Sequence, residues 1–224
     1  MATKKEIVNI KPVELATATV RIEGITPLIE HCWSEKAKRE MLEKQMGTQD
    51  KAKKREAKNP VEDFIRSMYW ITQMPTEFTE EAFEAAIANG ARFGFPTTGI
   101  KQAAISGAYR KNWVDNKMGL RGVFFIVPDA IAHDGTEVCE VKYRQAPVMR
   151  EDNVKIGMGT ADLRYRGEFR DWYMDLQIQY DVNGEYSLND LVNFINAGGF
   201  SVGVGEWRPE RDGQSGMFRV VPNA

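Results

Sequence analysis

Polar and apolar residues alternate along positions 13–25, Val-Glu-Leu-Ala-Thr-Ala-Thr-Val-Arg-Ile-Glu-Gly-Ile. Leu15, Thr17, Thr19, Arg21 and Glu23 share one side, and Ala16, Ala18, Val20 and Ile22 the other. A period of two with one apolar side predicts a half-buried strand. The same period returns over 170–181, where Trp172, Met174, Leu176, Ile178 and Tyr180 alternate with polar positions. Residues 121–127 and 137–142 read as two further strands, expected to pair across Asp134-Gly135.

Helical spacing separates these strands. Asn59-Pro60-Val61-Glu62 offers an N-cap, a first-turn proline and an acid at the third position. It predicts a helix to about Ile71 with Val61, Phe64, Ile65 and Met68 inward. Thr79 with Glu80 and Glu81 starts a second, through Phe83, Ala86 and Ile87 to Asn89-Gly90. Ser187-Leu-Asn-Asp190 starts the clearest helix, with Leu191, Val192, Phe194 and Ile195 on its apolar face and Ala197-Gly198-Gly199 as its expected stop. Phe200–Val204 then reads as a strand, and Met217–Val221 as another apolar run beyond a polar loop. The order approximates β-α-β-β-α-β, so the expected class is α+β: a ferredoxin-like antiparallel sheet with helices on one face. No repeat of fixed short period is present, and one domain over 1–224 is the expected organisation.

Two stretches break the pattern. Residues 34–58 hold nine Lys/Arg against five Asp/Glu, with few apolar positions. They predict a solvated basic helical insertion, or more sharply a basic flap over a polyanion. Residues 143–169 read as a long thumb-like loop in which Tyr143, Arg144, Arg150, Lys155, Arg164, Tyr165, Arg166 and Phe169 interleave aromatics with cations. Such interleaving suits single-stranded nucleic acid, although surface cation–π pairs are also common. Residues 1–12 read as a polar arm.

Glycines then mark the loop before the carboxyl-terminal run. Gly203 and Gly205 stand at one mouth, Gly213 and Gly216 at the other, with Trp207, Arg208 and Arg211 between. Glycine pairs of this kind mark unusual backbone or close approach, and arginine beside an aromatic suits phosphates and bases. A long hairpin loop meeting turn geometry accounts for the same glycines. Upstream, Gly94-Phe-Pro-Thr-Thr-Gly-Ile-Lys101-Gln-Ala-Ala-Ile-Ser-Gly-Ala108 reads as a turn feeding a small-residue helix capped by Thr97 or Thr98. Lys101 and that helix N-terminus would face an anion, while Ala103, Ala104, Gly107 and Ala108 admit close packing.

Composition narrows the picture. A net charge of −2 excludes a polycation, so any nucleic-acid contact must come from local patches. Two distant cysteines, Cys32 and Cys139, fit neither a zinc site nor a disulfide scaffold. No apolar run approaches the roughly 18 residues of a membrane span, and the start has no apolar signal core. The expectations are a cytoplasmic protein, no membrane partner, no metal and no cofactor.

Three stretches together resemble the RAMP superfamily, the RRM-like backbone and processing proteins of CRISPR ribonucleoproteins. They are the loop Gly203-Val-Gly205…Gly213…Gly216-Met-Phe218, the turn Phe95-Pro-Thr-Thr-Gly-Ile-Lys-Gln-Ala103, and the strand exit Thr26-Pro27-Leu28. Gly99 and Gln102 depart from the family's turn. Arg164-Tyr-Arg166, Trp172 and Gly205-Glu-Trp-Arg-Pro209 are also similar to small bacteriophage-encoded proteins, solitary members of this group that would act in the bacterial host cell. The resemblance implies an RRM-like core, single-stranded RNA (less favourably DNA) along a basic face, and side-by-side assembly into a homo-oligomer or filament. The insertions would be its finger- and thumb-like additions.

Three functions compete. The first is a non-catalytic strand-coating module using Lys101, Arg144, Arg150, Arg164, Arg166, Arg208 and Arg211 on phosphates, with Tyr165 and Trp207 stacking bases. The second is a metal-independent endoribonuclease with His31 as general base, although the setting Ile-Glu-His-Cys-Trp also suits a buried structural histidine. His133 has no evident partner, and Asp152, Asp162 and Glu168 show no two-metal pattern. The third is a phage structural or assembly protein whose arginines pair with acids on neighbours. The first is the expectation carried forward.

Overall fold

The computed structural model describes residues 12–33, 35–47, 58–156 and 160–221. The polar arm at 1–11 and the middle of the basic insertion lie outside the described residues. In chain order the elements are β1 (Leu15–Gly24), β2 (Leu28–Ile29), α1 (Glu35–Gln45), α2 (Pro60–Arg66), β3 (Tyr69–Trp70), α3 (Glu80–Ala88), β4 (Phe93–Pro96), α4 (Thr97–Arg110) and α5 (Lys117–Leu120). There follow β5 (Phe124–Val127), β6 (Ala130–Ile131), β7 (Glu137–Tyr143), β8 (Val148–Ile156), β9 (Thr160–Phe169), β10 (Trp172–Asp181), α6 (Leu188–Ser201) and β11 (Phe218–Val221).

The core is an α+β ferredoxin-like sheet in the order β11-β1-β10-β5, all neighbours antiparallel, with α4 and α6 as its crossovers. Val20 and Ile22 of β1 face inward with Trp172, Met174, Leu176 and Ile178 of β10, as the alternation predicts. The small residues of α4 admit α6 so closely that a Cβ on Gly107 would overlap the backbone of Gly198. Two insertions elaborate this core. One, between β1 and α4, carries β2 to β4 with α1 to α3. The other, between β5 and β10, carries β6 to β9. Strands β7, β4 and β3 extend the main sheet beyond β10, while β2-β9-β8 form a second sheet of three. No helix among the described residues is long and apolar enough to cross a membrane.

Several expectations are corrected. The 143–169 stretch is no loop: β8 and β9 form a hairpin with Arg150 opposite Arg166 and Val148 opposite Glu168. Its period of two is carried by charges that pair, so apolar alternation could not reveal it. Gly198 and Gly199 do not stop α6, which runs through Phe200 to Ser201. They are there for close approach, Gly198 against α4 and Gly199 against Phe218. Phe200–Val204 is therefore no strand, and β11 alone supplies the last one. The 59–71 helix ends at Arg66, because Tyr69 and Trp70 pair with β4. Strand β5 starts at Phe124 and pairs with β10, and the partner of β7 across Asp134-Gly135 is the two-residue β6. Thr97 is the first helical residue of α4, whose cap position holds Pro96 and no side-chain bond.

Glu30 just after β2 is fully buried. One carboxyl oxygen accepts the Tyr69 N–H at 3.0 Å, and the other has no partner among the described residues. Burial pushes this carboxyl well above its ordinary 4.5. The unfolded chain releases the proton once pH passes that value, while the folded chain keeps it. Stability from this group is therefore lost as pH rises. Glu30→Gln removes the titration. Its unfolding free energy should gain on wild type by up to about 1.4 kcal/mol per pH unit above the normal carboxylate range. Parallel urea-derived stability curves between acid and neutral pH would refute this.

Candidate nucleic-acid interface

The loop between α6 and β11 is sewn onto the exit of β1. Gly216 donates to the Pro27 carbonyl at 2.7 Å, Glu206 to the Ile29 carbonyl at 2.9 Å, and Val204 to the Gly216 carbonyl at 2.9 Å. Ile25 donates to the Met217 carbonyl at 2.7 Å. Gly203, Gly205 and Gly216 have left-handed backbones, and a Cβ on Gly205 would overlap the Ile29 carbonyl oxygen. Gly213 is excluded from side chains by the Trp207 carbonyl. Gly205 thus lets the loop backbone touch the strand exit, while Gly203, Gly213 and Gly216 let the loop fold tightly on itself, and the loop is no hairpin.

That docking brings distant side chains together. His31 Nδ1 lies 3.2 Å from Glu206 Oε1, and Glu206 Oε2 lies 3.8 Å from the Arg166 guanidinium. The hydrogen bond from His31, with Arg166 and Arg208 nearby, holds the Glu206 carboxyl below its ordinary value against the opposing effect of burial. The Arg166 side chain is only 5% exposed and bonds Asp152 at 3.0 Å, while its Nε has no partner among the described residues. Arg150 bridges Asp152 at 2.9 Å and Glu168 at 2.8 Å, and Glu168 continues to Arg170 at 2.8 Å. Burial alone would raise the Glu168 carboxyl, but Arg150 and Arg170 together bring it below its ordinary value. A ladder of alternating charge therefore runs from the β8–β9 hairpin to His31.

Trp207 crowns the loop with φ +52°, a left-handed conformation in a bulky residue, and is 37% exposed. Trp33, two positions beyond His31, is 50% exposed. Arg208 is folded back onto the Gly205 carbonyl at 2.9 Å and pairs with Glu210. Arg211 is exposed, with no ion pair to a described residue. On the other flank, Cys32, its thiol pushed up to about 12 mainly by burial, donates to Asp134, which also holds Lys38 at 3.3 Å.

The remaining candidates lie apart from this centre. Lys101 donates to the Arg121 carbonyl at 2.7 Å and sits 4.1 Å over the Phe125 ring, burial lowering its ammonium's affinity for the proton. Arg144 pairs with Asp171 at 2.8 Å and lies over Tyr173. Arg164 pairs with Asp162 at 3.5 Å, and Tyr165 bonds Glu151 beneath Lys58. The outer face of the main sheet is likewise a lattice of opposite charges, with Arg21 and Lys142 on Asp175, Arg92 on Glu140 and Arg219 on Glu23. Among the described residues no group of three or more His, Cys, Asp or Glu is placed to hold a metal.

His31 is half-buried and paired with Glu206. Its partner Glu206 was not singled out from the sequence. The available signal was its position inside the glycine loop, 175 residues from His31. No protein-family model matches the chain, and no curated protein is similar to it in sequence.

Proposed function

We propose that the chain is a RAMP-type single-stranded nucleic-acid-binding protein, favouring RNA, that assembles side by side along the strand. Its binding centre is the surface of Trp33, Trp207, Arg208 and Arg211 at the glycine loop. The observation that carries this reading is the left-handed backbone of the half-exposed Trp207. A bulky residue held there costs on the order of 1–2 kcal/mol, and such outliers cluster at ligand sites. The exposed Trp207 indole, in one loop with Arg208 and the exposed Arg211, supplies the stacking and phosphate-binding groups that single-strand binders combine. The outer sheet face supports it less, because its cations are already paired with acids.

Fluorescence anisotropy of labelled single-stranded RNA, single-stranded DNA and duplex across a salt series tests the proposal. Single strands should bind tightest, with affinity falling linearly in log–log salt. Equal affinity for duplex, or none at low salt, would move the reading to a structural assembly protein.

The His31–Glu206 contact favours a second reading, a metal-independent endoribonuclease in which His31 moves the proton and Arg166 steadies Glu206. Labelled RNA incubated with chelator should then be cut by wild type and spared by His31→Ala, which still binds it. Intact RNA with wild type leaves the binding reading alone.

A further inference from the structure

Strand β8 is bonded to β9 on one side only and forms the margin of the three-stranded sheet. Its other side makes no main-chain hydrogen bond to a described residue over its nine residues. Such a margin presents a row of unpaired donors and acceptors, a template for another strand. Charges usually blunt it, but here they are arranged to complement themselves.

A two-fold axis normal to a sheet keeps each side chain on its own face. Antiparallel self-pairing must therefore place the axis on one residue. An axis at Arg150, Glu151 or Asp152 sets a charge against its own copy, which is destabilising. An axis at Val154 brings no opposite charges together. An axis at Asn153 sets amide against amide, which can donate and accept reciprocally, and places Glu151 opposite Lys155 on both sides. Glu151, Asn153 and Lys155 share one face and are all exposed. Neither Glu151 nor Lys155 forms an ion pair with a described residue, and the Tyr165 hydroxyl steadies Glu151 from the neighbouring strand.

We propose that two copies of the chain pair through β8, antiparallel about an axis at Asn153, joining their three-stranded sheets into one of six strands. This dimer requires no nucleic acid and does not depend on the binding centre proposed above.

The test uses the full chain after nuclease treatment. Sedimentation equilibrium across micromolar concentrations should give twice the 25.4 kDa of one chain. Lys155→Glu sets like charges across the axis and should return a monomer that keeps the wild-type circular-dichroism spectrum, with a melting temperature that no longer rises with protein concentration. Adding Glu151→Lys should restore the dimer. Directly opposed Cα atoms lie about 4.5–5.5 Å apart, within disulfide reach. Asn153→Cys should therefore cross-link under mild oxidant, with the native Cys32 and Cys139 buried and silent. A monomeric wild type overturns the proposal. So does a dimer indifferent to Lys155→Glu, or one in which Asn153→Cys stays uncrosslinked. Strand binding measured on the same variants reports separately on the glycine loop.

Discussion

Arg166→Met should lower the unfolding free energy by about 3–5 kcal/mol, the range for removing one partner of a buried ion pair. The guanidinium is nearly closed to solvent and stands between Asp152, whose side chain is 6% exposed, and Glu206. Without it Asp152 keeps only Arg150, which also serves Glu168. For a chain of this size the melting temperature should fall by roughly 6–20 °C. The second change, Asp152→Leu in the Arg166→Met background, should recover most of the loss, since apolar replacement of a buried pair is often neutral. Arg144→Met is the control: its guanidinium is open to water, and its pairs with Asp171 and Glu23 are screened. Thermal melts of the three variants decide the matter. An Arg166→Met melt matching that of Arg144→Met would remove the charge ladder as a source of stability.

The ladder also explains what the sequence hid. Alternation reads a strand when one face is apolar, as in β1 and β10, and there the inward residues are as expected. In β8 and β9 the repeating face is Arg150, Asp152, Arg164, Arg166 and Glu168, so the period survives while hydrophobicity does not. Cations interleaved with aromatics read as a binding loop because some of their partners come from across the hairpin or from another loop: Arg150 meets Glu168, and Arg166 meets Glu206. Glycine has the same ambiguity. Gly198 and Gly199 look like a helix stop, but the small surface is spent on contact with α4 and β11. Capping residues read more faithfully, as Asn59, Thr79 and Ser187 do, because their bonds close within a few positions. The site itself is legible only as its halves. The strand exit and glycine loop are both conspicuous, but the bond of His31 to Glu206 exists only after the sheet has formed.

Trp207→Gly separates function from stability at that loop. At φ +52° an L side chain strains the backbone, and glycine adopts the conformation freely. The relief of about 1 kcal/mol offsets the packing lost with a partly exposed ring, so the melting temperature should stay near wild type. If bases stack on the indole, its removal should cost about 1–3 kcal/mol of binding, a loss of roughly 5- to 150-fold in affinity for a single strand. Trp207→Ala loses the same ring but keeps the strain, so it should bind as weakly and melt lower than the glycine variant. Anisotropy titrations and melts of both variants fix the assignment. Equal loss of binding with unequal stability places the indole at the strand. Affinity unchanged in the glycine variant would mean that the left-handed backbone serves only to seat the loop on Ile29, and the binding centre would have to be sought away from it.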